Sequence, residues 1–212
     1  MKVNFRTLAV TSLCILLPAI AGVVLWGQLP EKVPTHFNWH GEADGWSGKI
    51  FAVFGLPLFL LTVHLLCAFA TAHDPKRENI HGKIFHLILW ICPAVSLVSA
   101  VLIYPSALGF AIDANFTGML MTGSLFVIVG NYLPKCRQNY TVGIKLPWTL
   151  ADEDNWNRTH RLAGPLWAAA GLITILSAFL FPNRLWIMLV SFTAAVIVPT
   201  LYSAALYIAK HK

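Results

Sequence analysis

Two clusters in the 212-residue chain hold side chains that could bind a metal or move a proton. The first is His36, Asn38, His40, Glu42 and Asp44, within PEKVPTHFNWHGEADGWSGK. On a helix His36 and His40 would share a face, as zinc ligands often do, and Asp44 could close a third position. Pro30, Pro34, Gly41, Gly45 and Gly48 oppose a helix there, and the spacing meets no fixed zinc motif. A turn-rich cap with Trp39 and Trp46 in the membrane interface belt uses the same residues without a metal. The second cluster is Asp152, Glu153, Asp154 and His160. Thr149-Leu150-Ala151-Asp152 has the form of a capping box, which predicts a short helix with its acids in the first turn. Arg158, His160 and Arg161 then fall in the last turn, Asp154 sits one turn before Arg158, and Gly164-Pro165 reads as the stop. A capped, dipole-matched helix accounts for these acids more simply than a metal cluster. Trp156 and His160, four apart, share a face and could present an aromatic surface to headgroups or to a partner.

Neither cluster belongs to a recognisable enzyme motif. The chain has no GxSxG elbow, HExxH helix, phosphate-binding loop or dinucleotide fingerprint. The expectation is a protein that is not an enzyme and that uses no cofactor and no metal. The cysteines Cys14, Cys67, Cys92 and Cys136 have no pairing pattern, and three fall inside apolar runs, so a disulfide framework is not expected.

The elements that must position these residues follow from hydropathy. A hydrophobic fraction of 57%, a charged fraction of 11% and a mean hydropathy of +0.67 exclude an ordinary soluble globule. Six stretches are long enough to cross a bilayer, at 8–28, 50–72, 84–104, 116–133, 164–181 and 185–209. The fold class is therefore all-α, a polytopic membrane protein. The first stretch exceeds a cleavable signal core and is read as a span. Only Pro182, Asn183 and Arg184 separate the last two, as a tight hairpin.

Orientation follows from Lys and Arg in short loops. With the N-terminus inside, twelve of the fifteen are cytoplasmic, leaving Lys32, Lys49 and Arg184 outside. Both termini and the polar stretch 130–164 are thus expected in the cytoplasm, and the loop 30–49 outside. The net charge of +6 then reflects topology and contact with the lipid bilayer, and no nucleic acid partner is expected. His64 is the polar residue near the middle of the second span, a position for a helix-to-helix hydrogen bond, a proton relay or a ligand contact. Pro18, Pro57, Pro93 and Pro199 can kink four spans, so a transporter or exporter of a small amphiphile, lined by His64, is the rival reading.

Two stretches carry a resemblance. Gly130-Asn131-Tyr132-Leu133-Pro134-Lys135, Asn139, Gly143-Ile144-Lys145, Pro147-Trp148-Thr149-Leu150, Trp156 and Thr159-His160-Arg161 resemble the signature of the SdpI immunity-protein family. Val33-Pro34-Thr35-His36-Phe37-Asn38, Gly41 and Asp44-Gly45-Trp46 look like the short membrane domain of unknown function that often precedes it. Lys145 stands where the family commonly has Arg, so a point charge replaces a bidentate guanidinium. The division that follows is an N-terminal two-span unit over 1–72 and a four-span unit over 84–212.

The resemblance implies a membrane immunity protein that protects the cell from a secreted, membrane-active killing peptide. It also implies signalling, by holding a small cytosolic autorepressor at the membrane. The residues expected to meet the peptide are His36, Asn38, Trp39, Asp44 and Trp46. Those expected to meet the cytosolic partner are Asn131, Asn139, Lys145, Trp148, Trp156, His160 and Arg161.

Overall fold

The computed structural model describes residues 5–181 and 184–211. Six helices among them are long and apolar enough to cross a membrane. They are α1 (Phe5–Val24), α2 (Leu56–Ala72, entered through a π-helical turn at Phe51–Gly55), α3 (Gly82–Ala107), α4 (Ala114–Tyr132), α6 (Glu153–Leu180) and α7 (Leu185–Lys210). A short α5 (Pro147–Ala151) precedes α6, and a hairpin of β1 (Lys32–Phe37) and β2 (Ala43–Gly48) follows α1. The expected turn at Pro182 and Asn183 lies outside the described residues.

The helices keep large apolar side chains on their outer faces, among them Phe59, Leu66, Phe179 and Leu201. Such faces suit hydrocarbon, where a helix satisfies its own backbone groups and needs no apolar partner. The buried positions mix large apolar residues such as Ile15, Leu89 and Met119 with small and polar ones such as Thr11, His64, Ala170 and Thr174, the latter as expected of helices that pack in lipid.

The chain forms two compact units. Among the described residues, one comprises 5–72 together with Phe85–Thr117. Its core contains Leu29, Val33, Ala52, Val53, Ile103 and Tyr104, so the hairpin root and the helix ends share one apolar cluster. Tyr104 donates its hydroxyl to the Pro18 carbonyl at 2.7 Å, and Ser96 donates to the Ile15 carbonyl at 2.9 Å. Tyr104 and Ser96 thus tie α3 to the middle of α1. Lys49 folds back to the chain after α1, donating to the Trp26 and Leu29 carbonyls and pairing with Glu31 at 3.0 Å.

The second unit comprises His73–Ile84 and the chain from Gly118 onward. Here α4 and α6 approach through glycines. A Cβ on Gly123 would stand 2.8 Å from the Gly171 carbonyl, and one on Gly130 would stand 2.7 Å from the Gly164 carbonyl. Both pairs are seven residues apart along their helices, two turns each, so one stripe of small residues serves both helices.

Two expectations are corrected in this unit. The helix that begins beside Asp152 does not stop at Gly164-Pro165 but continues to Leu180. Gly164 is a packing glycine: a Cβ there would stand 2.4 Å from the Pro134 ring, and its backbone stays helical. Pro165 costs the helix one amide donor without ending it. The capping box is also divided. Asp152 caps α6, accepting from the Asp154 amide at 3.0 Å, whereas Thr149 reaches back within α5 to accept from the Leu146 amide at 2.9 Å.

Candidate functional site

The segment from Tyr132 to Arg161 is built on two stacked rings. Trp156 and His160 share a face of α6, as their spacing predicts, with centroids 4.1 Å apart. That face is not presented outward: both side chains are buried, at 0% and 1% exposure, and the loop 136–146 closes over them. The Trp156 indole donates to the Cys136 carbonyl at 2.8 Å. His160 accepts from the Ile144 amide at Nε2, 2.8 Å, so its single ring proton sits on Nδ1 and is donated to the Trp156 carbonyl, also 2.8 Å. Both nitrogens are engaged within the protein. This histidine therefore acts as a fixed strut for the loop, with no lone pair left for a ligand.

Gly143 is what allows the loop to close. Its φ of 120° lies where side-chain-bearing residues are strained, and a Cβ there would stand 2.5 Å from His160 Nε2. Asn139, also buried, uses its Oδ1 to accept from the amides of Thr141 and Val142 and its Nδ2 to donate to the Arg137 carbonyl. Lys145 is exposed and closes the turn by donating Nζ to the Thr141 carbonyl at 3.0 Å. Cys136 is buried beneath, where desolvation pushes its thiol up to about 11, so it stays protonated at neutral pH.

Two further networks hold this frame, and sequence reasoning missed both. Asp74, buried after α2, accepts from the Lys76 and Tyr140 amides at 2.7 and 2.9 Å and from the Thr141 hydroxyl at 2.5 Å. Lys76 donates to Gln138, whose amide in turn donates to the Thr149 and Leu150 carbonyls. Asp74-Pro75 is a turn signal that could have marked the first residue; nothing in the local sequence marks Gln138. The second network joins α6 to α7. Asn155 accepts from the Ser203 hydroxyl at 2.7 Å and donates to the Ser203 carbonyl at 2.9 Å, and Trp148 donates its indole to the same hydroxyl at 2.8 Å. A serine in an apolar helix fifty residues away offers no signal of that pairing.

The acids of the second cluster do not converge. Asp152 pairs with Lys210 at 2.7 Å, and Asp154 pairs with Arg158 at 3.0 Å. The hydrogen bond from Lys210 is the main reason the Asp152 carboxyl lies below its usual range, helped by the amides of Asp154 and Asn155 against some desolvation. Of the residues expected to meet a cytosolic partner, Asn131, Lys145 and Arg161 are exposed and Trp148 is partly buried. Asn139, Trp156 and His160 lie beneath them.

The loop 30–49, expected as a turn-rich cap, is an antiparallel hairpin. Asn38 shapes its tip: Oδ1 accepts from the amides of His40 and Glu42, at 2.8 and 3.1 Å, and Gly41 takes a φ of 78°. Such an Asx turn needs no regular spacing of apolar residues, which is why alternation does not reveal the strands. Across the strands His36 Nδ1 meets Asp44 Oδ1 at 2.5 Å, and Thr35 meets Ser47 at 2.9 Å. His40 does not join them, and among the described residues no three His, Cys, Asp or Glu side chains group as metal donors. Trp39 and Trp46 project outward, 63% and 57% exposed. Asn115 holds the tip by donating to the Trp39 carbonyl at 3.0 Å. His64 is buried against Thr11, with Nε2 and Oγ1 3.1 Å apart, so it links α2 to α1.

Six helices long and apolar enough to cross a membrane, with an interhelical loop locked over a buried Trp-His pair, define a multi-pass membrane protein. Residues 135–203 match the SdpI/YfhL protein family, and residues 13–61 match a domain of unknown function, DUF1648. Together they bear out the resemblance read from the two motifs. Over 208 residues, 98% of this chain and 97% of the relative, the chain is 26% identical to the Immunity protein SdpI of Bacillus subtilis (strain 168). No solved structure matches. The similarity and the six helices together make this a multi-pass protein of the cell membrane.

Proposed function

We propose that this chain is a non-enzymatic immunity protein that protects its cell against a secreted, membrane-active killing peptide. The observation that carries the reading is collinearity: similarity to an immunity protein runs the length of both chains and takes in the hairpin and the signature segment alike. In this reading the hairpin faces the outside, following the bias of Lys and Arg toward the other loops. Trp39 and Trp46 are its contact residues, because they are large, exposed and held by a hairpin whose tip is already fixed. His36, Asn38 and Asp44 contribute by keeping that hairpin in shape.

The signalling part of the proposal rests on the signature segment. A loop fixed from beneath by Asn139, Trp156 and His160 offers a rigid surface with Asn131, Lys145 and Arg161 outward, suited to a cytosolic partner such as a small repressor. In this reading the hairpin, within 1–72, meets the peptide, and the signature segment, within 84–212, meets the partner.

The test is survival of a sensitive Gram-positive host that expresses this chain and is challenged with purified killing peptide. Wild type should protect, and Trp39→Ala/Trp46→Ala should lose protection at matched membrane abundance. Absence of protection by wild type against a panel of such peptides would refute immunity. Protection that survives the double substitution would refute the hairpin as the contact surface.

A further inference from the structure

Between the first turn of α3 and the end of α4 lies a cleft of about 470 Å³ whose lining belongs wholly to one compact unit. Lys83, Lys135 and Arg137 supply its cationic side, His81 a further polar group, Glu78 its one carboxylate and Tyr132 an aromatic wall. Several other cations of this unit are committed. Lys210 and Arg158 are paired with carboxylates, and Lys76 and Lys145 donate to Gln138 and to the Thr141 carbonyl. Lys83 and Arg137, by contrast, are exposed and make no ion pair with any described residue, and Lys135 lies over the Tyr132 ring, 5.1 Å from its centroid. His81 accepts from the Lys83 amide at Nδ1, 3.3 Å, which puts its proton on Nε2 and leaves that nitrogen a donor. Three permanent charges facing one carboxylate leave the cleft positive, while the helix dipoles at the start of α3 and the end of α4 oppose one another there.

We infer that this cleft is a binding site for the headgroup of an anionic phospholipid. Its depth decides for a lipid over an acidic protein segment. Lys83 lies in the first turn of one membrane helix and Tyr132 is the last residue of another, which sets the cleft at the level of the headgroups. A phosphate there meets Lys and Arg donors at a site its own acyl chains can reach, the pattern by which basic pockets between membrane helices hold anionic lipids.

The experiment is native mass spectrometry of the full chain, purified and delipidated in detergent, then titrated with phosphatidylglycerol or phosphatidylcholine. Wild type should retain phosphatidylglycerol selectively. Lys83→Gln/Lys135→Gln/Arg137→Gln should weaken it about 100-fold, roughly fivefold for each charge near the surface, while Lys145→Gln should leave it unchanged. Should the triple variant fail to fold, the three single variants carry the same test at about fivefold each. Equal retention of phosphatidylcholine, or undiminished phosphatidylglycerol binding by the variants, would overturn the inference. Inorganic phosphate emptying the site at the lipid's own concentration would assign it to a free anion instead. A poly-glutamate peptide bound in preference would assign it to an acidic protein, and either result would overturn the lipid.

Discussion

Replacing Gly143 by alanine should open the signature loop without unfolding the helices beneath it. The new Cβ would stand 2.5 Å from His160 Nε2 and 2.8 Å from Trp156 Cζ2, closer than real Cβ contacts come. Neither ring can step aside. Trp156 is wholly buried and tethered to the Cys136 carbonyl, and His160 is held at both nitrogens. The backbone adds its own cost, because a φ of 120° is open to glycine and strained for alanine. Strain at such a position is worth about 1–3 kcal/mol, and overpacking a filled site about 1–3 kcal/mol. We take roughly 3 kcal/mol for the sum, which is about a hundredfold in the local opening equilibrium.

Hydrogen exchange reads that equilibrium directly, since the amides of Thr141, Val142, Ile144 and Leu146 are all donors within the closed loop. In detergent, their exchange in Gly143→Ala should rise about a hundredfold, while amides in the second half of α6 keep the wild-type rate. Gly118→Ala is the control, because a Cβ there meets nothing within 4 Å and alanine favours the helix. Exchange in Gly143→Ala within about threefold of wild type would show that the ring pair does not hold the loop.

Two other perturbations follow from the same frame. Asn155→Ala removes the acceptor of the Ser203 hydroxyl proton and a second donor to the Ser203 carbonyl, and should cost about 1–3 kcal/mol; denaturant unfolding in detergent measures it, and a cost below about 0.5 kcal/mol would mean that α6 and α7 do not depend on the bond. Asp152 has a folded value below its ordinary 3.8, so its pairing stabilises fully above that value and is lost as pH falls through the folded one. Asp152→Asn keeps the cap but not the charge. It should therefore be less stable than wild type at pH 7 and equal to it once Asp152 is protonated, and a pH-independent difference would refute the pairing as its source.

The spans were legible because lipid imposes a length and a composition on every helix that crosses it, whatever its neighbours. α1 to α4 and α7 accordingly start and stop near their apolar limits. Helix ends set by packing were not legible. Gly164-Pro165 has the composition of a stop, yet the glycine is there to admit the Pro134 ring. The Trp156/His160 pair shows the same limit from the other side. Spacing placed the rings on one face, but which way the face turns depends on the loop 136–146, and its closure draws on Gly143, Asp74 and Gln138. Long-range polar contacts of this kind leave no periodic trace.

The signature residues thus divide into those that build the loop and those that it displays, and the division bears on the departure at Lys145. If that position met a partner through a bidentate fork, lysine would be a poor substitute for arginine. Within the chain its task is one hydrogen bond, from Nζ to the Thr141 carbonyl, and a single donor is enough for that. The buried builders, Asn139, Trp156 and His160, make all their bonds without it. The loop therefore keeps its shape with lysine at 145, and the difference falls on the outward face alone, where a compact, strongly hydrated charge replaces a planar one. Any loss from Lys145→Arg should consequently appear as altered partner recognition, with the exchange rates of the loop amides unchanged.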